Sequence, residues 1–199
     1  MVSRGVLAIA WMAAACWSAS AAELTTTISK ENRTIVALNG DLVAGDASRF
    51  KDILKSSSAA GKPVSAVRLN SPGGSLVEGV RLAAVIQGAK IATVIASGAK
   101  CSGACFLPFA AGSQKYVSAT ATVGVPGAAE KSEHEPKGDT PALLQTEIPA
   151  IVRVVQRLGL LDAIVTKMLT TPENDVFLLS LDDLRAMGAT TTGKPAQPR

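Results

Sequence analysis

The chain has few aromatic residues and no cluster of basic residues. Aromatic residues make up 4% of its 199 residues, and a net charge of +4 is spread along the sequence. Proteins that bind nucleic acid combine a basic surface with rings that stack on the bases. Because the sequence has neither feature, we expect no nucleic-acid partner.

Residues that could bind a metal are also scarce. The only histidine, His134, lies in a polar segment, and the three cysteines do not form two closely spaced pairs. A structural zinc site takes about four cysteine or histidine ligands. We therefore expect no metal and no other cofactor.

The apolar stretch near the N-terminus, residues 6–17, is shorter than the roughly 20 residues that a transmembrane helix needs. Arg4 precedes it and the small residues 19–22 follow it, which is the pattern of a cleaved signal peptide. We predict a signal peptide over residues 1–22, a periplasmic or secreted protein, and no stable membrane span after cleavage. A lipid anchor through Cys16 is less favoured, because the residues before it lack a large aliphatic side chain.

Segments typical of strands and helices alternate after the signal peptide. This alternation favours an α/β fold with a mostly parallel sheet. We predict one domain over residues 23–188, a loop over 127–141 and a flexible tail over 189–199. The predicted strands are 24–29, 34–38, 64–69, 90–96, 116–117, 122–125 and 176–179. The predicted helices are 47–57, 75–89, 103–111, 142–158, 161–169 and 182–187.

Two of the predicted turns join a strand to a helix. In the first, the sequence Leu-Asn-Ser-Pro-Gly-Gly-Ser at 69–75 closes a strand and opens a helix, and the second turn contains Cys-Ser-Gly-Ala-Cys at 101–105. Such turns leave backbone N–H groups free to bind an anion or the oxygen of a reacting carbonyl. Two of them in consecutive units predict one shared pocket.

Removal of the signal peptide leaves two cysteines, Cys101 and Cys105. In an oxidising compartment two cysteines four residues apart can pair, since one helical turn brings their α-carbons to about 6 Å. The alternative is a pair of buried thiols that pack as small apolar side chains. The sequence leaves both open.

These segments together resemble the Clp protease/crotonase superfamily, and most of all its secreted, Clp-protease-like periplasmic members, which are related in fold to signal peptide peptidase A. The resemblance runs from about residue 35 to residue 188 and includes the sequence Asn-Asp-Val-Phe-Leu-Leu-Ser at 174–180. It implies a ClpP/crotonase-like spiral of β-β-α units with a mostly parallel sheet. Because many members form rings or trimers, the resemblance also implies a homo-oligomer. It further implies a peptide or protein ligand.

The resemblance assigns roles to individual residues. The oxyanion-hole donors of active serine members correspond to the backbone N–H groups of Gly74 and Ala104. The nucleophilic serine of the family is replaced by Gly103, and the histidine by Pro126. Asp175 matches the acidic residue of the catalytic triad. With two of the three triad members absent, the resemblance implies a degenerate serine endopeptidase-like fold.

Three hypotheses follow. The first is a non-catalytic protein that keeps the oxyanion pocket and uses it for peptide binding or assembly. The second is an active serine peptidase in which Ser102 is the nucleophile, with Asp175 and a relocated base, His134 or one of the lysines Lys100 and Lys131. Ser102 otherwise acts as a helix cap. The third, acyl-thioester chemistry of the crotonase kind, is disfavoured by export.

Overall fold

The computed structural model describes residues 22–127, 162–172 and 175–193. Its strands are β1 Glu23–Ile28, β2 Thr34–Asn39, β3 Val64–Asn70, β4 Ala92–Ile95, β5 Lys100–Cys101, β6 Lys115–Ser118, β7 Thr122–Pro126, β8 Val176–Leu178 and β9 Ala189–Thr192. Its α-helices are α1 Asp46–Ala59, α2 Leu76–Ala89, α3 Phe106–Ala110, α4 Asp162–Thr170 and α5 Leu181–Ala186, and a short 3₁₀ helix, Gly103–Cys105, precedes α3.

The strands form two sheets. The larger has the order β1-β2-β3-β4-β6-β9 and is parallel except for the antiparallel pairing of β1 with β2. In the smaller sheet, β7 lies between β5, to which it is parallel, and β8, to which it is antiparallel. The predicted α/β fold with a mostly parallel sheet is confirmed, whereas the spiral of β-β-α units stays a prediction.

The parallel order follows from the helices that connect successive strands. Helix α1 joins β2 to β3, and α2 joins β3 to β4, so each strand re-enters the sheet in the same direction. Helix α2 buries Leu82 and Ile86 completely, and α3 buries Phe106 and Phe109. Packing of α2 on α3 sets the segment before α3 against the start of α2.

The end of the described chain differs from the prediction. A flexible tail was expected from residue 189, but Ala189–Thr192 forms β9 and pairs in parallel with β6. The prediction of a flexible tail is therefore wrong for residues 189–192. Three consecutive threonines, 190–192, favour the extended conformation because they branch at the β-carbon. Gly193, with φ of 81°, follows the strand.

The predicted domain start also differs by one residue. Ala22, the last residue of the predicted signal peptide, is buried, and its N–H donates to the Asp41 carbonyl at 2.8 Å. Its own carbonyl accepts from Arg49 at 3.1 Å. Ala22 therefore packs as part of the domain. Among the described residues, no helix is long and apolar enough to cross a membrane.

Several predicted features lie outside the described residues. They are most of the signal peptide, most of the polar loop, the helix over 142–158, and His134 and Lys131. Within the described residues, the predicted helix over 103–111 is split into the 3₁₀ turn and α3. Pro108 lies in the first turn of α3, where its missing N–H would have no helical partner.

Candidate functional site

The first turn of the candidate site follows β3 and is held by the segment after β2. Gly73 and Gly74 have φ of 130° and 113°, a conformation that favours glycine. The Leu42 N–H donates to Gly73 O at 2.7 Å, and Leu42 O accepts from the Ser75 N–H at 2.8 Å. A β-carbon on Gly74 would lie 2.7 Å from Leu42 N, so only glycine fits there. Both neighbours of Gly74 are thus fixed by the backbone of Leu42.

Helix α2 begins directly after this turn. The Ser75 hydroxyl caps it by accepting from the Glu78 N–H at 3.3 Å. The Glu78 side chain is buried and its Oε1 accepts from the Ala47 N–H at 2.7 Å, in the first turn of α1. One carboxylate at the start of α2 therefore satisfies a free donor at the start of α1.

The second turn follows β5 and lies against the first. The Ser71 N–H donates to Lys100 O at 2.7 Å, and the Ser102 N–H donates to Ser71 O at 3.2 Å. Gly103 has φ of 54°. A β-carbon built on Gly103 would lie 3.6 Å from Pro72 O, which is an ordinary van der Waals distance. Position 103 therefore has room for a side chain directed at the first turn.

The predicted cysteine pair brackets the second turn. The sulfurs of Cys101 and Cys105 are at disulfide-bond distance, with their α-carbons 5.2 Å apart. Both residues are fully buried. The structure thus has the disulfide, one of the two arrangements that the sequence left open. The bond closes a small ring that contains Ser102, Gly103 and Ala104, and it restricts the backbone of this turn.

We call residues 71–75 and 102–105 together the two-turn site. A β-carbon on Gly73 would lie 3.4 Å from Ala104 N, so the two turns are in contact. Neither the Gly74 N–H nor the Ala104 N–H donates a hydrogen bond to an acceptor in the described part of the chain. The two backbone donors that the sequence assigned to an oxyanion hole therefore belong to adjoining turns, and their role stays a prediction.

Ser102 is the one described residue with a buried side-chain polar atom that lacks a partner. Its exposed fraction is 1%, and its Oγ makes no hydrogen bond. It occupies the N-cap position of the 3₁₀ turn without a side-chain capping bond. The alternative role as a helix cap is therefore not seen. A buried hydroxyl without a partner is unfavourable and calls for an explanation.

Pro126 and Asp175 meet at one end of the smaller sheet. Pro126 ends β7 and pairs with Val176, the residue after Asp175. Asp175 is exposed, and its carbonyl accepts from the Gly127 N–H at 3.0 Å. Because β5 and β7 run in parallel, Gly103 and Pro126 follow their strands at the same end. The topology thus brings the three positions that the resemblance assigns to a triad, 103, 126 and 175, to one end of the sheet.

Lys100 is the one candidate base that lies within the described residues. Lys100 is exposed, and its backbone N–H donates to the Asn70 Oδ1 at 3.1 Å. In the described ranges no group of three or more histidine, cysteine, aspartate or glutamate residues could hold a metal ion.

The sequence analysis missed two residues that shape the site. Leu42 holds the first turn through its backbone N–H and carbonyl, so the identity of its side chain does not reveal this role in the sequence. Glu78 stands three residues after Ser75, which is the spacing of a capping box. That pattern predicts a carboxylate that accepts from the N-cap N–H, whereas here one Glu78 oxygen accepts from the Ala47 N–H of α1 and the other from Arg81.

Solved structures identify the fold. ClpP1 from Listeria monocytogenes superposes on this chain with a TM-score of 0.56 at 16% identity, over 82% of this chain and 94% of that chain. A mutant of ClpP1 gives a TM-score of 0.55 at 17% identity, over 81% and 93%. A mutant of 1510-N, a membrane-bound stomatin-specific protease, gives 0.54 at 16% identity, over 78% and 77%. The chain therefore has a ClpP-like protease fold.

No protein-family model and no curated protein matches the chain. At these identities, the structural likenesses establish the fold and leave the activity to be argued from the residues of the site.

Proposed function

We propose that the chain is an exported, ClpP-like protein that has lost peptidase activity and binds a peptide or protein at the two-turn site. The observation that carries this proposal is the glycine at position 103. It stands at the turn between strand and helix, beside two backbone donors, where the related peptidases have the nucleophile. Pro126, at the family's histidine position, cannot act as a base.

The chemistry that remains is limited. A hydroxyl without a neighbouring base is a weak nucleophile. When triad members are removed from serine proteases, about 10³ to 10⁴-fold catalysis over water survives, from the oxyanion hole and substrate binding. The two backbone N–H groups do not depend on the side chains that differ from the family. They can therefore still bind an acceptor group.

The disulfide supports export, since such bonds persist in oxidising compartments. A homo-oligomer is also proposed, by analogy with the family. In the described part of the chain the apolar strand β8 is exposed along its whole length, with Val176 at 40%, Phe177 at 38% and Leu178 at 58%. An exposed apolar patch of this kind is typical of contact surfaces.

The proposal is tested with a fluorophosphonate probe, which reacts with activated serines. We expect no labelling of the natural chain. In the double variant Gly103→Ser/Pro126→His, the new serine and histidine would join Asp175 to rebuild the triad, and we expect labelling at residue 103. The matched control is the same variant with Asp175→Asn, which should label more slowly because the histidine loses its orienting carboxylate.

A second candidate function, an active serine hydrolase, is favoured by the buried Ser102 hydroxyl that has no partner. It makes the opposite prediction in the same experiment. Stoichiometric labelling of the natural chain at Ser102, abolished in Ser102→Ala, would establish this second function and overturn the first.

A further inference from the structure

We propose that strand β1 is the contact surface of a homodimer, in which the β1 strands of two copies pair in antiparallel orientation and join their larger sheets. The inference deepens one part of the proposed function, the homo-oligomer, by naming its surface and its symmetry. It does not depend on the loss of peptidase activity, and the surface differs from the apolar strand β8.

Strand β1 is an unprotected edge of the larger sheet. It pairs on one side with β2, and no strand lies on its other side within the described residues. Natural sheets protect their edges with short strands, bulges, proline or lysine. Strand β1 is six residues long, its register with β2 is unbroken, and its sequence, Glu-Leu-Thr-Thr-Thr-Ile, contains neither proline nor lysine. The edge strands β9, β5 and β8 have only four, two and three residues.

Half of the backbone groups of β1 point away from β2. The Ser29 N–H donates to Arg33 O at 2.7 Å, and the Thr34 N–H donates away from β1, to Pro63 O at 3.2 Å. Because backbone groups alternate in direction along a strand, the odd-numbered residues of β1 bond to β2. The even-numbered residues direct their N–H and carbonyl groups outwards, and they are Leu24, Thr26 and Ile28.

These three outward residues are self-complementary about Thr26. When two β1 strands pair around a two-fold axis at Thr26, Leu24 of one copy lies opposite Ile28 of the other. Every outward N–H then donates to a carbonyl of the second copy. The pairing also covers apolar surface, because Ile28 is 51% exposed and Leu24 is only half-buried. A contact of this symmetry closes at two copies.

Charge favours the antiparallel orientation over the parallel one. Strand β1 begins with Glu23, and the turn after it carries two positive charges and one negative, on Lys30, Arg33 and Glu31. Antiparallel pairing brings the Glu23 carboxylate of each copy to the turn of the other, whereas parallel pairing would bring like charges together. All four side chains are exposed, so this attraction sets the orientation and adds little affinity.

The size of the contact sets its strength. Stable complexes bury about 1,200 Å² or more of total surface, and a pair of six-residue strands buries less. We therefore expect a weak dimer, with a dissociation constant on the order of 10 to 100 μM. Sedimentation velocity of the chain without its signal peptide, at concentrations about tenfold below and about tenfold above this constant, should show monomer and dimer respectively.

Two substitutions at the axis test the backbone pairing. Thr26→Pro removes an outward N–H without removing a bond to β2, whereas Thr26→Val keeps that N–H and the β-branched shape. We expect Thr26→Pro to raise the dissociation constant about tenfold or more and Thr26→Val to leave it unchanged. Urea unfolding verifies that both variants fold. Ile28→Lys, which puts a charge on the contact, replaces Thr26→Pro if the proline variant does not fold. A natural chain that stays monomeric, or a proline or lysine variant that dimerises as the natural chain does, overturns the inference.

Cross-linking tests the register. Removal of the signal peptide eliminates Cys16, and Cys101 and Cys105 are bonded to each other, so a substituted cysteine is the only free thiol. In Thr26→Cys the two thiols meet at the axis, where α-carbons are about 5.5 Å apart. In the control Ile28→Cys they lie four residues apart along the strands, about 13 Å.

The reagent is dibromobimane, which becomes fluorescent when it bridges two thiols. We expect it to link Thr26→Cys into dimers and to leave Ile28→Cys unlinked. Equal linkage of the two variants, linkage of Ile28→Cys alone, or linkage of neither contradicts the register.

A variant in β8 separates this inference from the proposed function. Leu178→Lys places a charge on the exposed apolar strand. Dimerisation that survives Leu178→Lys and is lost in Thr26→Pro assigns the contact to β1. The reverse pattern assigns the contact to β8, which overturns this inference and keeps the homo-oligomer of the proposed function. Fluorophosphonate labelling tests the loss of peptidase activity independently of both.

Discussion

Gly74 and Gly103 have similar backbone requirements but different surroundings. Both have positive φ, yet a β-carbon would clash with the backbone of Leu42 at position 74 and make only ordinary van der Waals contact, 3.6 Å from Pro72 O, at position 103. Gly74 therefore fixes the shape of the first turn. Gly103 can accept a serine or aspartate, because the cost is limited to the left-handed conformation, about 1 to 2 kcal/mol. Under the proposed function, the change at position 103 is thus one of a single side chain.

A single buried residue also bears on where the predicted signal peptide would end. Ala22 is buried and its backbone makes hydrogen bonds at both its N–H and its carbonyl. Cleavage after residue 21 follows the small-residue pattern of positions 19–21 and keeps these contacts. We expect the exported protein to begin at Ala22, as measured by its intact mass. A mass lower by one alanine residue would show that cleavage removes Ala22.

At the scale of elements, helix α2 supports both turns. Its N-cap, Ser75, ends the first turn, and its fourth residue, Gly79, lies against the second. A β-carbon on Gly79 would be 2.6 Å from Ala104 O. The helix can approach the Ala104 backbone this closely only because residue 79 has no side chain. The position of the Ala104 N–H therefore depends on a glycine in the interior of a helix.

Two alanine substitutions in α2 test this dependence. Gly79→Ala is expected to lower the free energy of unfolding by about 1 to 2 kcal/mol, because the clash with Ala104 outweighs the better helix propensity. Gly88→Ala, in the same helix with no neighbour within 4 Å, should raise the free energy of unfolding by about 0.5 to 1 kcal/mol. Urea unfolding measures both. An increase in both variants would contradict the close contact.

At the scale of the whole molecule, an ion pair joins elements from two separately described segments. The Lys167 ammonium in α4 contacts the Asp183 carboxylate in α5 at 2.5 Å and lies 4.8 Å from the centre of the Phe177 ring. Asp183 also completes a capping box with Ser180 at the start of α5. The hydrogen bond from Lys167 lowers the pKa of Asp183 below its usual 3.8. The Asp183 carboxylate therefore links α4 to α5, and the Lys167 ammonium adds the contact with β8.

Stability should depend on pH through this carboxylate. Because the pKa of Asp183 is lower in the folded state, its ionised form adds stability above pH 3.8, and this contribution is lost as the pH falls through the folded-state pKa. At about pH 7 we expect Asp183→Asn to lower the free energy of unfolding by about 0.5 to 1 kcal/mol. Urea unfolding should show this difference shrinking at about pH 3. A difference that does not change with pH would contradict the assignment.

Much of the fold can be predicted from the sequence because its signals are local. Strands β1 to β3 and helix α2 have clear apolar patterns and turn residues at their ends. Strand β9 was missed because it is short and polar, and its stability comes from pairing with β6. The departures at Gly103 and Pro126 are visible in the sequence, since they interrupt a motif. The contacts of Leu42 and the burial of Ser102 depend on residues distant in the chain and required the structure.

The hold of Leu42 on the first turn has a consequence for protein engineering. A fragment that starts after residue 45 would contain every residue of the two-turn site. It would lack the hydrogen bonds from Leu42 to Gly73 and Ser75 that fix the first turn. Transplanting residues 71–105 alone onto another scaffold would meet the same difficulty. The smallest portable unit of this protein must include the segment after β2 that contains Leu42.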